Sequence, residues 1–292
     1  MKNLFYKITW FILVGFLIIG CNQEEPVSLK LPTQSYLVNV DAKLGEMDSM
    51  INIDPLSDLR QDLEIYDSIN DRFWTYNVLL PPEYSENKYY PVLYLLHGKS
   101  SHSGIWTSLD IIKIADYYYS HSFPHLIIIM PDGEDTYYVD DYYKEIKYES
   151  FFKNIFLPTV EKNFPISGER DNRFIAGYSM GGYGALLYAL KFNEIFSFCY
   201  AMSTPADGNG HLLTPSPFIF LKEKLDSQIP YIILDIGNTD RFIQTNVEAH
   251  LALELLSVPH DFILRTGGHD SQFWKEGLFL LFSRLEDFLD TP

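Results

Sequence analysis

Between residues 73 and 267 the sequence repeats one rhythm: a short β-rich apolar run, then a longer segment with helical spacing. The runs are 73–80 (FWTYNVLL), 89–97 (YYPVLYLLH), 125–131 (HLIIIMP), 173–179 (RFIAGYS), 196–203 (FSFCYAMS), 231–237 (YIILDIG) and 261–267 (DFILRTG). Helical patterns occupy 109–121, 149–164, 180–193, 244–257 and 271–289. Several runs are apolar on both faces, as strands are when helices cover each side of a sheet. Alternation of this kind predicts an α/β domain built on a mostly parallel sheet. No fixed-period repeat is present. A hydrophobic content of 47% supplies a sizeable core and excludes a disordered chain. We expect one domain over residues 35–292. Residues 34–72 are the least legible, with SYLVNV and LEIYDS as candidate strands.

The first residues stand apart from that rhythm. MKNLFYKITWFILVGFLIIGC has Lys2 and Lys7, an apolar run, then Gly20 before Cys21. This order predicts a secretion signal over residues 1–20, of the bacterial lipoprotein kind, with Cys21 as the lipidated first residue of the mature chain. An uncleaved anchor helix is the alternative. Residues 21–34, polar and proline-containing, read as a tether. The body is then held at the cell envelope, outside the cytoplasmic membrane, by its N-terminal lipid alone. Removing residues 1–20 takes away two lysines, so the formal charge of −17 becomes −19. A chain this acidic, with no basic patch, is repelled by nucleic acid and by anionic membrane surfaces. Its other cysteine, Cys199, lies in FSFCYAMS and reads as a buried packing residue. No paired Cys/His spacing suggests a metal site.

In open α/β sheets, ligands bind beyond the carboxyl ends of the strands. Four loops leave such ends: HGKSSHSGIW after 97, SMGG after 178, GNTD after 236 and GGHD after 266. They should share one rim. Gly177-Tyr178-Ser179-Met180-Gly181 fits G-x-S-x-G, between an apolar run and a helical pattern. A serine on a sharp strand-to-helix turn needs small neighbours, and the turn pushes its hydroxyl into the cleft. Ser179 is the candidate nucleophile. Chain order then selects its partners, since serine, acid and histidine follow one another in this arrangement. His211, His250, His260 and His269 come after Ser179; only His269 follows a strand directly, on two glycines. It is the candidate base. Asp240, closing GNTD, is the candidate acid, with Asp235 inside YIILDIG as the fallback. The acid fixes the imidazole tautomer and stabilises imidazolium. The backbone amides of Met180 and Lys99 are the candidate oxyanion donors. Such chemistry needs no cofactor.

Six segments, YPVLYLLHG, MPDGEDTYYVDD, YESFFKNIFLPTVEKNFPI, FIAGYSMGGYGALLYALKFNEIFSF, IGNTD and GGHDSQFWKE, resemble in that order the esterase D-like α/β-hydrolases. That group includes tributyrin, feruloyl and acetylxylan esterases, S-formylglutathione hydrolases and mycolyltransferases. The resemblance covers about residues 73–289. It implies the α/β-hydrolase fold, a Ser179–Asp240–His269 triad, an oxyanion donor just after His97-Gly98, and ester hydrolysis. Three places depart from the pattern. Lys99-Ser100-Ser101 stands where many relatives carry a second glycine, which leaves the path of that loop open. Tyr178 stands where many carry leucine. Residues 204–230 match nothing and are a candidate partial lid.

The expected substrate is a short acyl or feruloyl ester, with surface glycans suggested by the lipoprotein address. S-Formylglutathione hydrolysis fits that address poorly. Tyrosines in DTYYVDDYYKEIKYE (135–149) either stack on substrate or cover the sheet. His102 and Trp106 flank the oxyanion loop as structural pins or substrate contacts, and Trp274 is expected under the His269 loop. Rival readings are an acyltransferase, a peptidase on the same fold, and a non-catalytic glycan-binding lipoprotein. The sequence leaves the oligomeric state open.

Overall fold

A computed structural model of the chain describes residues 55–141, 145–207, 216–221 and 228–290. The expectations for the signal, Cys21 and the tether lie outside these residues, as does the candidate strand SYLVNV. The strands are β1 (Asp58–Asp67), β2 (Arg72–Leu80), β3 (Val92–Leu96), β4 (Ile127–Pro131), β5 (Asp140–Asp141), β6 (Ile146–Lys147), β7 (Arg173–Tyr178), β8 (Phe198–Met202), β9 (Tyr231–Gly237) and β10 (His260–Arg265). Eight of them form one sheet in the order β1-β2-β4-β3-β7-β8-β9-β10, while β5 and β6 pair as a small ribbon. Within the eight, β2 alone opposes its neighbours: it is antiparallel to both β1 and β4, and every other pair is parallel. This is the α/β-hydrolase arrangement.

The strands show why both faces are apolar. In β3, Val92, Tyr94 and Leu96 enter one core cluster, and Leu93 and Leu95 enter the other. Period-two alternation thus feeds two cores, and a polar residue on either face would be buried. Helix α1 (Ile111–Ser120) packs on one face together with a long C-terminal helix over Ser271–Leu289. On the other face lie a helical stretch over residues 148–163, helix α3 (Met180–Lys191) and helix α4 (Ile243–Leu255). We number the 148–163 stretch α2 and the C-terminal helix α5. No helix among the described residues is long and apolar enough to cross a membrane.

Two details depart from simple periodicity. Helix α2 widens to π geometry over Phe152–Phe156, just before Pro158. Proline has no N–H and its ring crowds the carbonyl four residues back, and a wider turn removes that conflict. In β1, register slips between Arg60 and Leu63, where Asp62 takes a positive φ of 54°. The Asp62 N–H is satisfied across the strand by Asn77 Oδ1 at 2.9 Å. This bulge hides the alternation that would have marked β1 as a strand.

Candidate active site

All four loops read from the sequence leave the carboxyl ends of parallel strands, and three of them meet at one serine. Ser179 sits between β7 and α3 with φ 53° and ψ −120°. A non-glycine residue held there costs about 1–3 kcal/mol, so the surroundings must enforce it. They do so by close packing. A Cβ on Gly181 would lie 1.8 Å from the Leu96 carbonyl oxygen, and one on Gly177 would lie 2.5 Å from the Gly181 carbonyl. The Ser179 N–H is tied to the Met202 carbonyl at 2.8 Å. The turn leaves Ser179 8% exposed, with its hydroxyl facing the next loop.

His269 follows β10 and is held from behind. Asp270 caps helix α5, its carboxylate accepting the Phe273 N–H at 3.0 Å. The imidazole stands edge-on between two rings, Phe242 at 5.3 Å and Trp274 at 5.2 Å. Its Nε2 is 2.9 Å from Ser179 Oγ, and its Nδ1 is 2.9 Å from Asp240 Oδ2. Asp240 is 2% exposed. Burial pushes its pKa up, but hydrogen bonds from His269 and the Phe242 N–H, with the charge of His269, prevail and hold it below the ordinary value. An ionised Asp240 requires Nδ1–H on His269, which leaves the Nε2 lone pair for the serine proton.

The acid and base loops are also fastened to each other. Thr239 donates twice to the Gly267 carbonyl, from its N–H at 3.0 Å and its hydroxyl at 2.7 Å. The Asn238 N–H bonds the Arg265 carbonyl at 2.9 Å. GNTD on its own points only to its aspartate; these contacts arise once β9 and β10 are paired. Asp235, the fallback acid, is engaged elsewhere. It makes a two-point ion pair with Arg265 at 2.9 and 3.0 Å and accepts the Tyr200 hydroxyl at 3.0 Å.

The loop after β3 resolves the missing second glycine. Ser100 takes the left-handed conformation itself, at φ 59°. Its N–H donates to Asp135 Oδ1 at 2.6 Å, which pins the turn. The buried His97 ring braces the same loop: Nδ1 donates to the Gly98 carbonyl at 2.8 Å, and Nε2 accepts the Gly133 N–H at 2.8 Å. Among the described residues, the amides of Lys99 and Met180 have no hydrogen-bond acceptor. Met180 begins α3, whose N-terminal partial positive charge faces the serine.

Tyr178 explains its departure from leucine. Its ring stacks on Trp274 at 4.1 Å, meets the edge of Trp106 at 5.4 Å, and lies against Gly98. Trp106 is fully buried, in the position of a pin for the loop. His102 is exposed and its Nδ1 accepts the Gly104 N–H at 3.1 Å. Among the tyrosines of 135–149, Tyr138 and Tyr148 are fully buried and cover the sheet. Tyr137 is half-buried, with Lys99 Nζ 5.8 Å from its ring. Of the unmatched 204–230 stretch, residues 208–215 and 222–227 lie outside the described residues. A turn at Pro217–Phe220 packs on α3, burying Phe218.

A serine in hydrogen-bond reach of a histidine, itself oriented by a carboxylate, is the arrangement of an activated nucleophile. Residues 68–282 match the putative esterase family. The chain belongs to it. Esterase Rv1288 of Mycobacterium tuberculosis is 38% identical over 135 residues, 44% of this chain and 29% of that protein. The chain thus matches under a third of the length of that relative. An acetyl esterase of Caldicellulosiruptor saccharolyticus is 27% identical over 215 residues, 63% of this chain and 79% of that protein. A solved ferulic acid esterase superposes with a TM-score of 0.72 at 27% identity, covering 80% of this chain and all of that one. These relatives agree with the esterase D-like resemblance.

Proposed function

We propose that this family member is a serine carboxylic-ester hydrolase working through an acyl-enzyme. The observation that carries the reading is the unbroken contact from Asp240 through His269 to Ser179, at 2.9 Å on each side. Ser179 Oγ attacks the acyl carbon as His269 Nε2 takes its proton. The oxyanion is held by the amides of Met180 and Lys99, each worth on the order of 100- to 1000-fold in turnover. The imidazolium, steadied by Asp240, returns that proton to the departing alkoxide, and the alcohol leaves. Water then attacks the acyl-enzyme, giving a proton to the same nitrogen. Collapse of the second tetrahedral intermediate releases the acid and restores the serine hydroxyl.

The natural substrate in this reading is a short acyl or feruloyl ester of a cell-surface glycan. The acetyl esterase and ferulic acid esterase relatives support the acyl range. The glycan rests on the lipoprotein address, which is part of the proposal. Cys21→Ser should release the protein from the membrane fraction and abolish palmitate labelling.

The test of the chemistry is hydrolysis of p-nitrophenyl esters, acetyl to octanoyl, by residues 22–292 beside Ser179→Ala. Wild type should turn over. The variant should lose up to about a millionfold if the three residues act as a unit. Should neither protein hydrolyse any of these esters, the reading fails.

A further inference from the structure

At the far end of β10 from His269, three side chains converge without any part in the ester chemistry. His250 and Glu254 lie one turn apart on α4, and His260 opens β10. His250 Nδ1 is 2.8 Å from His260 Nε2. One ligand atom from each of the three residues can be chosen so that all lie within 4.8 Å of one another, the one such group among the described residues. We propose that His250, Glu254 and His260 form a zinc site that braces α4 to β10.

The tautomers favour it. His260 Nδ1 is 2.7 Å from the Val258 carbonyl, which only accepts, so Nδ1 carries the proton and Nε2 presents its lone pair. A backbone carbonyl behind the ring is the usual way a ligating histidine is oriented. Without metal, the His250 Nδ1–H fills the gap by donating to that lone pair. A metal replaces this proton. The proton moves through solvent from Nδ1 to Nε2 of His250, so the ring stays neutral and no net proton is released. Tetrahedral zinc with bonds of about 2.0–2.1 Å sets its nitrogens about 3.3–3.4 Å apart. The two rings therefore need to part by roughly half an ångström. Glu254 supplies a third ligand and water the fourth.

The setting is firm where it needs to be. The His250 ring lies flat on Phe262 at 4.7 Å, and Asn246, Ala249 and Leu253 bury the inner face of α4. Two imidazoles and one carboxylate suit zinc over calcium or magnesium. Sequence spacing concealed the site because its ligands come from a helix and the strand after it. The strand spans roughly 17 Å, which keeps the metal away from Ser179.

The test is zinc titration of the EDTA-stripped mature chain by calorimetry, with cobalt as the optical probe. One zinc per chain should bind, cobalt should show the visible bands of a tetrahedral ion, and zinc should raise Tm. His250→Ala and His260→Gln should each weaken binding at least tenfold and erase the Tm shift. Glu254→Gln should weaken it several-fold. Turnover of p-nitrophenyl acetate by each variant, equal to wild type, certifies that the variants fold. Zinc binding by the His250→Ala/His260→Gln double variant equal to that of wild type would overturn the proposal, as would a wild type that binds none.

Discussion

Replacing Gly181 with alanine adds one methyl group at the tightest point of the serine turn. The new carbon would lie 1.8 Å from the Leu96 carbonyl oxygen and 2.7 Å from that of His97. Real contacts of this type do not fall below 3.0 Å, so at least 1.2 Å of relief is required. No flexible side chain can provide it, because both obstacles are backbone. The relief must come from separating α3 from the end of β3. Helix α3 and the loop that continues from β3 carry the Met180 and Lys99 amides, so the serine and the candidate oxyanion donors lose their mutual placement. A misplacement of about 1 Å costs on the order of 100-fold in turnover, equivalent to about 2.7 kcal/mol. Overpacking should also destabilise the fold by about 1–3 kcal/mol. The assay is kcat/KM on p-nitrophenyl acetate beside Tm, with Gly168→Ala as the control, since a Cβ there meets nothing within 4 Å. If Gly181→Ala keeps turnover within twofold and Tm unchanged, the close-packing account of the elbow is wrong.

Asp240→Asn should cut kcat on the order of ten-thousand-fold by favouring the wrong imidazole tautomer, read from steady-state kinetics. The folded-state pKa of Asp240 lies below its ordinary 3.8, so its ionisation stabilises the fold above that value and the gain is lost as pH falls through the depressed one. The Tm gap between wild type and Asp240→Asn should accordingly shrink below about pH 4 in thermal melts. Arg265→Met strands the buried Asp235 and should cost about 3–5 kcal/mol in urea unfolding, whereas Asp235→Asn with Arg265→Met should recover part of it. Burial pushes the Cys199 thiol well up, so residues 22–292 should react with a thiol reagent only after denaturation, once per chain.

The geometry of the candidate site was the most legible part of this chain, because it rests on local necessities. Ser179 needed glycines, and His269 had to come last in chain order; both demands are written in a few adjacent letters. Strand identities followed from runs that are apolar on both faces, and even their boundaries moved by only a few residues. What stayed hidden was long-range and mostly polar. Nothing in GNTD says that its threonine will reach Gly267, since that contact exists only once β9 and β10 are paired. Ser100 replaces a glycine because Asp135, thirty-five positions on, holds its amide. Strand β1 was half-hidden for a different reason: its bulge breaks the alternation on which reading a strand depends.

Thr239 has a kinetic consequence beyond stability. It clasps the acid loop to the base loop at Gly267, two residues before His269, which favours one placement of the ring through both halves of the proposed cycle. In the proposed mechanism, the nitrogen that would deprotonate Ser179 is still in place when the acyl-enzyme awaits its second attack, and it would serve whichever hydroxyl arrives there. Hydrolysis and acyl transfer then require the same base in the same position. The partition between them becomes a matter of occupancy, water against alcohol, in the space beside that ring.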